Sequence, residues 1–230
     1  MKLKNLLSGV LIKRYKRFFV DILLNNRKIT AHCPNSGSMM GLLNEGNNVW
    51  ISKADNLKRK LQYTLEIIQV NDVMVGVNTF NTNKIVFEAL KDKKIKELLK
   101  YDKIQTEVKF GLKSRLDFLL SNKKEKSLLE VKNVTLSREI NIGEFPDAKT
   151  SRGTKHLEEL IIGRAEGYQS YMLFVIQRND CNNFKISKDI DPIYYETLYT
   201  AKNSGVKILC YDCKITNKEV ILNKKINFLK

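Results

Sequence analysis

Short segments of alternating hydrophobic and polar residues occupy the chain from residue 9 to about residue 80. They are rich in β-branched and aromatic residues and are separated by clusters of Asn, Gly, Ser and Asp, a composition typical of strands and turns. The segments are GVLIKRYKRFFVDILL, RKITAH, NVWISK, LQYTLEIIQV and DVMVGVN. Five short strands in succession predict a small closed barrel, and the OB-fold is the most common nucleic-acid-binding barrel of this kind.

The pattern changes near Asn78. KIVFEALKDKKIKELLK has apolar residues at mostly helical spacing, which predicts a helix. The segments IQTEVKF, RLDFLLS and SLLEVKNV then predict three strands, and the short polar turns GLKS and NKKEK predict that they form an antiparallel meander. Helix, strand, helix and strand follow in GTKHLEELIIGRAEGYQ, SYMLFVIQR, DPIYYETLYTAKNSG and VKILCYDCKI.

The expected fold class is therefore α/β (α+β), with two domains. Residues 1–80 form an OB-like nucleic-acid-binding barrel, and residues 81–230 form an α-β-β-β-α-β domain with a mixed sheet flanked by helices.

Charge adds the first functional constraint. The 41 Lys and Arg residues against 25 Asp and Glu give a formal net charge of +16, which attracts a polyanion such as DNA. A lysine excess that reflects only the codon usage of an AT-rich genome is the alternative. The apolar run at the start is interrupted by Lys13 and Arg14, so neither an export signal nor a membrane span is expected.

The four cysteines, Cys33, Cys181, Cys210 and Cys213, are too scattered for a disulfide scaffold. They indicate a reducing compartment, and we expect a cytoplasmic protein. Cys210 and Cys213 form a C-x-x-C within a predicted strand, where residues three apart face opposite sides, so a zinc site is not favoured.

The candidate chemistry lies in the meander. Glu130 and Lys132 are two residues apart and project from the same face of a strand, and Asp117 lies one hairpin upstream among apolar residues. Two carboxylates suit Mg²⁺ or Mn²⁺, and a lysine beside them can orient or deprotonate the attacking water. The pattern predicts metal-assisted phosphodiester hydrolysis with Asp117, Glu130 and Lys132 as catalytic residues and the two carboxylates as metal ligands. An ordinary cross-strand ion pair is the alternative.

Glu107 and Lys109 repeat the Glu-Val-Lys triplet. They lie on the polar side of a cleanly alternating strand and lack an upstream aspartate, so they are interpreted as a solvated face. Glu88, on the sheet-facing side of the first helix, is the candidate third acidic ligand, and Glu97 is a weaker candidate.

Basic residues in three segments are candidate DNA contacts. KRYKRF interleaves them with aromatic rings, as on a single-strand platform. The segment from Thr150 to His156 begins a helix, where free backbone N–H groups favour a phosphate, although helix capping explains its Thr and Ser equally well. His156 itself is interpreted first as a surface residue. The loop HCPNSGSMMG can form an anion nest. The DNA-binding candidates are Arg14, Lys16, Arg17, Lys58, Arg59, Lys60, Arg152, Lys155 and His156.

Asp followed by Glu-x-Lys on the next strand resembles the PD-(D/E)xK nuclease fold. The blocks HCPNSGSM, KRKLQYTLE, VGVNT, SRLDFLL, EVKNVTL, FPDAKTSRGTKHLEEL and FVIQR together resemble the sugar fermentation stimulation protein A family, nearly end to end. One departure is Ser36, which replaces a threonine and keeps its hydroxyl. The resemblance implies an OB-like domain, a nuclease-like domain, DNA binding with little sequence preference and a role in regulating maltose and other sugar metabolism.

Two hypotheses follow for function. The first is a metal-dependent DNA endonuclease, and the second is a DNA-binding regulatory protein that keeps the nuclease fold without turnover. A carbohydrate-active enzyme is poorly supported, because Trp50 is the sole tryptophan and lysines surround the carboxylate pair. The oligomeric state is left open, with a homodimer as one option.

Overall fold

A computed structural model describes residues 1–56, 58–111 and 114–229, in which a β-barrel is followed by a mixed sheet with helices on both faces. The strands of the barrel are β1 (Leu7–Tyr15), β2 (Phe19–Leu24), β3 (Arg27–His32), β4 (Asn48–Lys53), β5 (Tyr63–Val70) and β6 (Val73–Gly76). The later strands are β7 (Lys103–Phe110), β8 (Ser114–Ser121), β9 (Lys126–Val134), β10 (Leu136–Glu139), β11 (Ile142–Phe145), β12 (Gln169–Ile176), β13 (Asn183–Ile186), β14 (Lys207–Ile215), β15 (Val220–Lys225) and β16 (Asn227–Phe228). The helices are α1 (Thr82–Lys91), α2 (Ser151–Ala165) and α3 (Pro192–Asn203), with 3-10 turns at Thr79–Asn81 and Lys96–Leu98.

The barrel closes through one pairing between strands that are distant in sequence. Its strand order is β3-β2-β1-β4-β5-β6, and His32 of β3 pairs with Thr64 of β5, which closes five strands and leaves β6 attached to β5. Alternate residues point inward, so that Leu11, Ile22 and Leu65 are fully buried. The OB-like barrel expected from the sequence is confirmed.

The first predicted strand, GVLIKRYKRFFVDILL, is in fact a hairpin. Lys16 and Arg17 have φ values of 46° and 65°, and two successive residues with positive φ form the tight turn that matches the twist of two antiparallel strands. The interpretation of KRYKRF as one basic and aromatic strand is therefore wrong for these two side chains. Arg14 lies within β1, whereas Lys16 and Arg17 lie in the turn.

The second sheet has the order β15-β14-β12-β9-β8-β7, and β7, β8 and β9 form the predicted antiparallel meander. Strands β9, β12 and β14 are parallel, and α2 and α3 make their crossovers. Helix α1 packs on one face of the sheet, and α2 and α3 pack on the other. The α-β-β-β-α-β order is confirmed. Of the predicted turn GLKS, Leu112 and Lys113 lie outside the described residues.

The two cysteines of the C-x-x-C lie on opposite faces of β14. Cys210 packs into the core beneath α2 and α3, and Cys213 packs into the core beneath α1. Both side chains are buried and free. The expectation that residues three apart in this strand face opposite sides is confirmed.

A third sheet, with four strands in the order β10-β11-β13-β16, was not expected from the sequence. Its strands have four residues or fewer, and its parallel pairs join residues that are distant in the chain. Such short segments carry little hydrophobic pattern. Strand β10, for example, has only one buried residue, Leu136. The small sheet covers the end of the larger sheet at which β9 and β12 finish.

Main-chain contacts join the barrel to the second domain. The N–H of Gly76 donates to the carbonyl of Gln177 at 3.0 Å, and Val75 forms an antiparallel bridge with Arg178. The first residues of the chain also reach the second domain, since the amino group of Met1 donates to the carbonyl of Val220 at 2.8 Å. The barrel is thus tied to the sheet on two sides. Within the described ranges, no helix is both long and apolar enough to span a membrane.

Candidate active site

Strands β8 and β9 separate at the position of the predicted acidic pair. Their ladder runs from Ser121 with Lys126 to Phe118 with Leu129, and Asp117 and Glu130 are the next residues on each strand. Side chains replace the missing ladder bonds at this fork. The Asp117 carboxylate accepts from the N–H of Val131 at 2.7 Å, and the Glu130 carboxylate accepts from the N–H of Asp117 at 3.4 Å. The two carboxylates are therefore neighbours, as the sequence predicted.

Burial makes the ionised form of Asp117 unfavourable. Burial, together with the charge of Glu130, raises the pKa of this carboxyl from 3.8 to about 6. Hydrogen bonds from Val131 and from the side-chain amide of Asn83, which donates to Asp117 at 2.7 Å, act in the opposite direction. A buried carboxylate beside a second carboxylate is stabilised strongly by a bound cation, because the cation offsets both negative charges.

Glu130 is 2% exposed, and cationic and polar partners surround it. Burial alone would raise its pKa, but Lys132 and His156 together hold the pKa of this carboxyl below its usual value. The ammonium of Lys132 lies 2.7 Å from one Glu130 oxygen, and Nδ1 of His156 contacts the same oxygen. Glu130 therefore remains ionised inside the site.

His156 is buried, so its interpretation as a surface histidine is wrong. It lies on the face of α2 that packs against the sheet, together with Gly153 and Leu160. Nε of Arg152 donates to Nε2 of His156 at 3.4 Å, and Nδ1 of the ring contacts both the Glu130 carboxylate and, at 3.1 Å, the ammonium of Lys132. The helix begins where predicted, and the Thr150 side chain caps it by accepting from the N–H of Gly153 at 3.1 Å.

These residues open onto a cleft of about 630 Å³ that both domains line. The barrel side contributes the loop that begins at Asn35, and the connection to α1 contributes Thr79 and Phe80. The second domain contributes the acidic pair and a group of cationic side chains. The cleft is lined on that side by Asn83, Lys84, Glu107, Asp117, Glu130, Lys132, Lys149, Arg152 and His156, among others.

Glu107 has a position that strand alternation did not predict. It is exposed, as expected, but its φ is +52°, and it lies between the pairs Thr106 with Phe118 and Val108 with Leu116, directly opposite Asp117. This conformation costs a residue other than glycine about 1–2 kcal/mol. Glu107 lines the cleft and therefore brings a further carboxylate to the side of Asp117.

The loop HCPNSGSMM is held between the domains. The guanidinium of Arg14 donates to the carbonyls of Asn35 and Ser38 at 2.7 and 3.2 Å. Across the cleft, the Asp147 carboxylate accepts from the N–H of Met39 at 3.1 Å and leaves no room for a side chain at position 37. Arg14 thus positions the loop, and the anion nest expected there stays a prediction.

Neither of the further acidic candidates lines the cleft, although Glu88 lines an adjoining pocket that also includes Asp117. Glu88 has a half-exposed side chain that pairs with the amino group of Met1 at 2.6 Å. Glu97 pairs with Lys225 at 2.6 Å and accepts from Tyr211 at 2.7 Å. In the part of the chain that the structure describes, no three or more His, Cys, Asp or Glu side chains are grouped to hold a metal ion. A metal in this site would rely on two carboxylates and water.

Of the remaining basic candidates, two have side-chain partners within the protein and two are exposed at the surface. Arg59 donates to Thr64 at 2.9 Å and contacts His32 at 3.3 Å, and Lys155 lies 4.0 Å from Glu159. Lys58 and Lys60 are exposed. Sequence reasoning overlooked Lys84 and Lys149, which line the cleft, because neither lies in a basic cluster.

Comparison with known proteins agrees with this architecture. A family model described as the sugar fermentation stimulation protein RE domain matches residues 81–219, and one described as the SfsA N-terminal OB domain matches residues 12–77. The chain belongs to the sugar fermentation stimulation protein family. A sugar fermentation stimulation protein homolog of Pelagibacter ubique is 53% identical over 226 residues, which cover 98% of this chain and 97% of that protein.

Other relatives of this sugar fermentation stimulation family member extend over nearly the whole chain. The homolog of Pseudoalteromonas atlantica is 45% identical, with 96% of each chain covered. The solved structure of Pyrococcus furiosus SfsA in complex with Ca²⁺ superimposes with a TM-score of 0.91 at 23% identity, covering 100% of this chain and 98% of that one. The family resemblance inferred from the sequence is confirmed, and the fold is shared across both domains.

Proposed function

We propose that this protein binds DNA and hydrolyses its phosphodiester bonds with Mg²⁺ or Mn²⁺ held by Asp117 and Glu130. The observation that carries the proposal is the fork between β8 and β9, where the two carboxylates and Lys132 face one cleft. Three features of a nuclease site therefore coincide in space: paired oxygen ligands, a cation and an open groove.

The residues present fit a hard divalent cation. Both ligands are carboxylates, which such ions prefer, and the raised pKa of Asp117 reflects its burial beside the negative charge of Glu130. The related Pyrococcus furiosus protein was solved in complex with Ca²⁺, which supports an ion in this family. Bound there, the ion would supply an activated water and stabilise charge on the phosphate.

The side chains of the protein itself would orient the substrate. The ammonium of Lys132, with a side chain 12% exposed, is held against Glu130 and can donate to a phosphate oxygen or to the attacking water. Arg152 and His156 form a second cationic and polar pair on the wall of the cleft. Lys84 and Lys149, together with the net charge of +16, would attract the phosphate backbone.

A non-catalytic DNA-binding regulator is the second candidate. It is favoured by the close ion pair of Lys132 with Glu130, in which the charge of each group already neutralises the charge of the other. The role in maltose and other sugar metabolism that the family resemblance implies would then act through DNA binding alone.

Nicking of supercoiled plasmid distinguishes the two candidates. The wild type should nick in Mn²⁺ or Mg²⁺ and not in EDTA, and Asp117→Asn and Glu130→Gln should lose the activity. Asp102→Asn, which changes an exposed aspartate just before β7, is the matched control and should nick normally. Equal nicking by the wild type and Asp117→Asn would show contamination and would refute the catalytic proposal, whereas binding without nicking would favour the regulator.

A further inference from the structure

Three neighbouring rings, Phe18, His32 and Phe80, lie at the surface of the barrel. Phe18 and Phe80 are 42% and 67% exposed and are the only phenylalanines, among the described residues, with strongly exposed side chains. Both flank His32: the ring centroids lie 6.4 Å from Phe18 to His32 and 6.5 Å from His32 to Phe80, with a tilt of 32° in each pair. Exposed phenylalanine is unfavourable in water, so two such rings on either side of one histidine indicate a binding surface.

The main chain holds the three rings at fixed positions. Phe18 is the last residue of the turn between β1 and β2, and its carbonyl accepts from the N–H of Cys33, the residue after His32. Phe80 lies in the 3-10 turn before α1, where the side chain of Asn78 accepts from its N–H at 3.1 Å. The rings are thus presented by three separate elements that are each anchored to the barrel.

We call these three rings, Phe18, His32 and Phe80, the ring platform. Positively charged side chains lie beside it. Arg17 is exposed beside Phe18, Arg59 contacts His32 at 3.3 Å, and Lys84 lies one helical turn after Phe80. Burial and the charge of Arg59 hold the pKa of His32 below its ordinary value, so the ring is neutral near pH 7 and suited to stacking. Aromatic faces with cations beside them match single-stranded nucleic acid, in which bases stack and phosphates pair with the cations.

The platform leads into the candidate active site. Phe80 and Lys84 line the same cleft as Asp117, Glu130 and Lys132. Successive rings are separated by about two nucleotide rises of roughly 3.4 Å each. A strand that follows the rings would therefore enter the cleft a few nucleotides beyond Phe18.

We propose that the ring platform binds the unpaired bases of a single-stranded DNA segment and delivers the adjoining phosphates to the cleft. This inference rests on the proposed function, because it names the substrate class of that same site: DNA with a single-stranded stretch. Duplex DNA has no free base face to offer, so it would bind only through the cationic residues.

Fluorescence anisotropy in EDTA tests the platform without cleavage. The probes are a labelled single strand of about 12 nucleotides, within the usual site sizes of OB-folds, and its duplex. Phe80→Ala and Phe18→Ala should each weaken single-strand binding by about 5- to 150-fold and leave duplex binding nearly unchanged. Ile193→Ala, which removes an exposed apolar side chain on α3, is the matched control and should bind as the wild type does.

A conservative variant separates stacking from a general loss of structure. Phe80→Trp should retain single-strand affinity, and its added tryptophan emission should be quenched by the single strand and not by the duplex. Equal weakening of single-strand and duplex binding by Phe80→Ala, or unquenched emission of Phe80→Trp at saturation, would overturn the inference.

The experiment also separates this inference from the proposed function. If the variants show no single-strand preference but the wild type nicks DNA in an Asp117-dependent way, the ring platform is refuted and the nuclease proposal stands. If the rings stack on single-stranded DNA but no Asp117-dependent nicking occurs, the nuclease proposal is refuted and the ring platform stands.

Discussion

Replacement of Asp117 by asparagine should stabilise the metal-free protein. Burial, together with the charge of Glu130, raises the pKa of Asp117 from 3.8 to about 6, which corresponds to about 3 kcal/mol against the ionised folded state. The pKa in the folded state exceeds that in the unfolded state, so the penalty is complete above pH 6 and vanishes below the unfolded value. Asparagine removes this charge.

The loss of one hydrogen bond reduces the stabilisation expected for Asp117→Asn. Asp117 accepts from both Val131 and Asn83, whereas asparagine has one carbonyl oxygen, so one donor loses its partner. That loss costs about 1–2 kcal/mol, which leaves a net stabilisation of about 1–2 kcal/mol at pH 8 for Asp117→Asn.

Urea unfolding in EDTA measures this difference. Asp117→Asn should have the higher midpoint near pH 8 and no advantage near pH 4, where the wild-type carboxyl is protonated. Saturating Mn²⁺ should reverse the order, because a ligand at about 100 times its Kd stabilises the wild type by roughly 2.7 kcal/mol. Asp102→Asn should change neither result. A variant that is less stable than the wild type at both pH values would refute the burial argument.

Three further predictions concern the cleft. Mn²⁺ affinity, measured by titration calorimetry, should fall as pH decreases through about 6, because protonated Asp117 cannot ligate a metal; a flat profile from pH 5 to 8 would contradict this. Glu107→Gly should raise the free energy of unfolding by about 1 kcal/mol relative to Glu107→Ala, since glycine adopts φ +52° without strain; equal stabilities in urea would contradict it. Gly37→Ala should displace the Asp147 carboxylate from Met39 and cost about 1–3 kcal/mol, measured by thermal unfolding, whereas Gly41→Ala, where nothing lies within 4 Å, should show only the cost of its own positive φ.

The acidic pair could be predicted because its geometry is local. Asp117 and Glu130 lie on adjacent strands joined by one short hairpin, so hydrophobic alternation was sufficient to bring them together. The burial of His156 was also encoded in the sequence, since Gly153, His156 and Leu160 recur at helical spacing on the face of α2 that contacts the sheet.

The other features depend on contacts or conformations that periodicity does not encode. The left-handed conformation of Glu107 interrupts a segment whose pattern is a regular strand. Asp147 is 108 residues from its partner Met39, and FPDA has no local pattern that indicates this contact. The hairpin at Lys16 and Arg17 was missed because neither residue is typical of a turn with positive φ.

Anomalous scattering from crystals soaked in Mn²⁺ would show directly whether Asp117 and Glu130 hold a metal ion. We expect an anomalous difference peak between the carboxylates of Asp117 and Glu130 in the wild type, and its loss in Asp117→Asn crystals soaked in the same way. An undiminished peak in Asp117→Asn, or a fully occupied manganese site elsewhere with none between these two carboxylates, would contradict it.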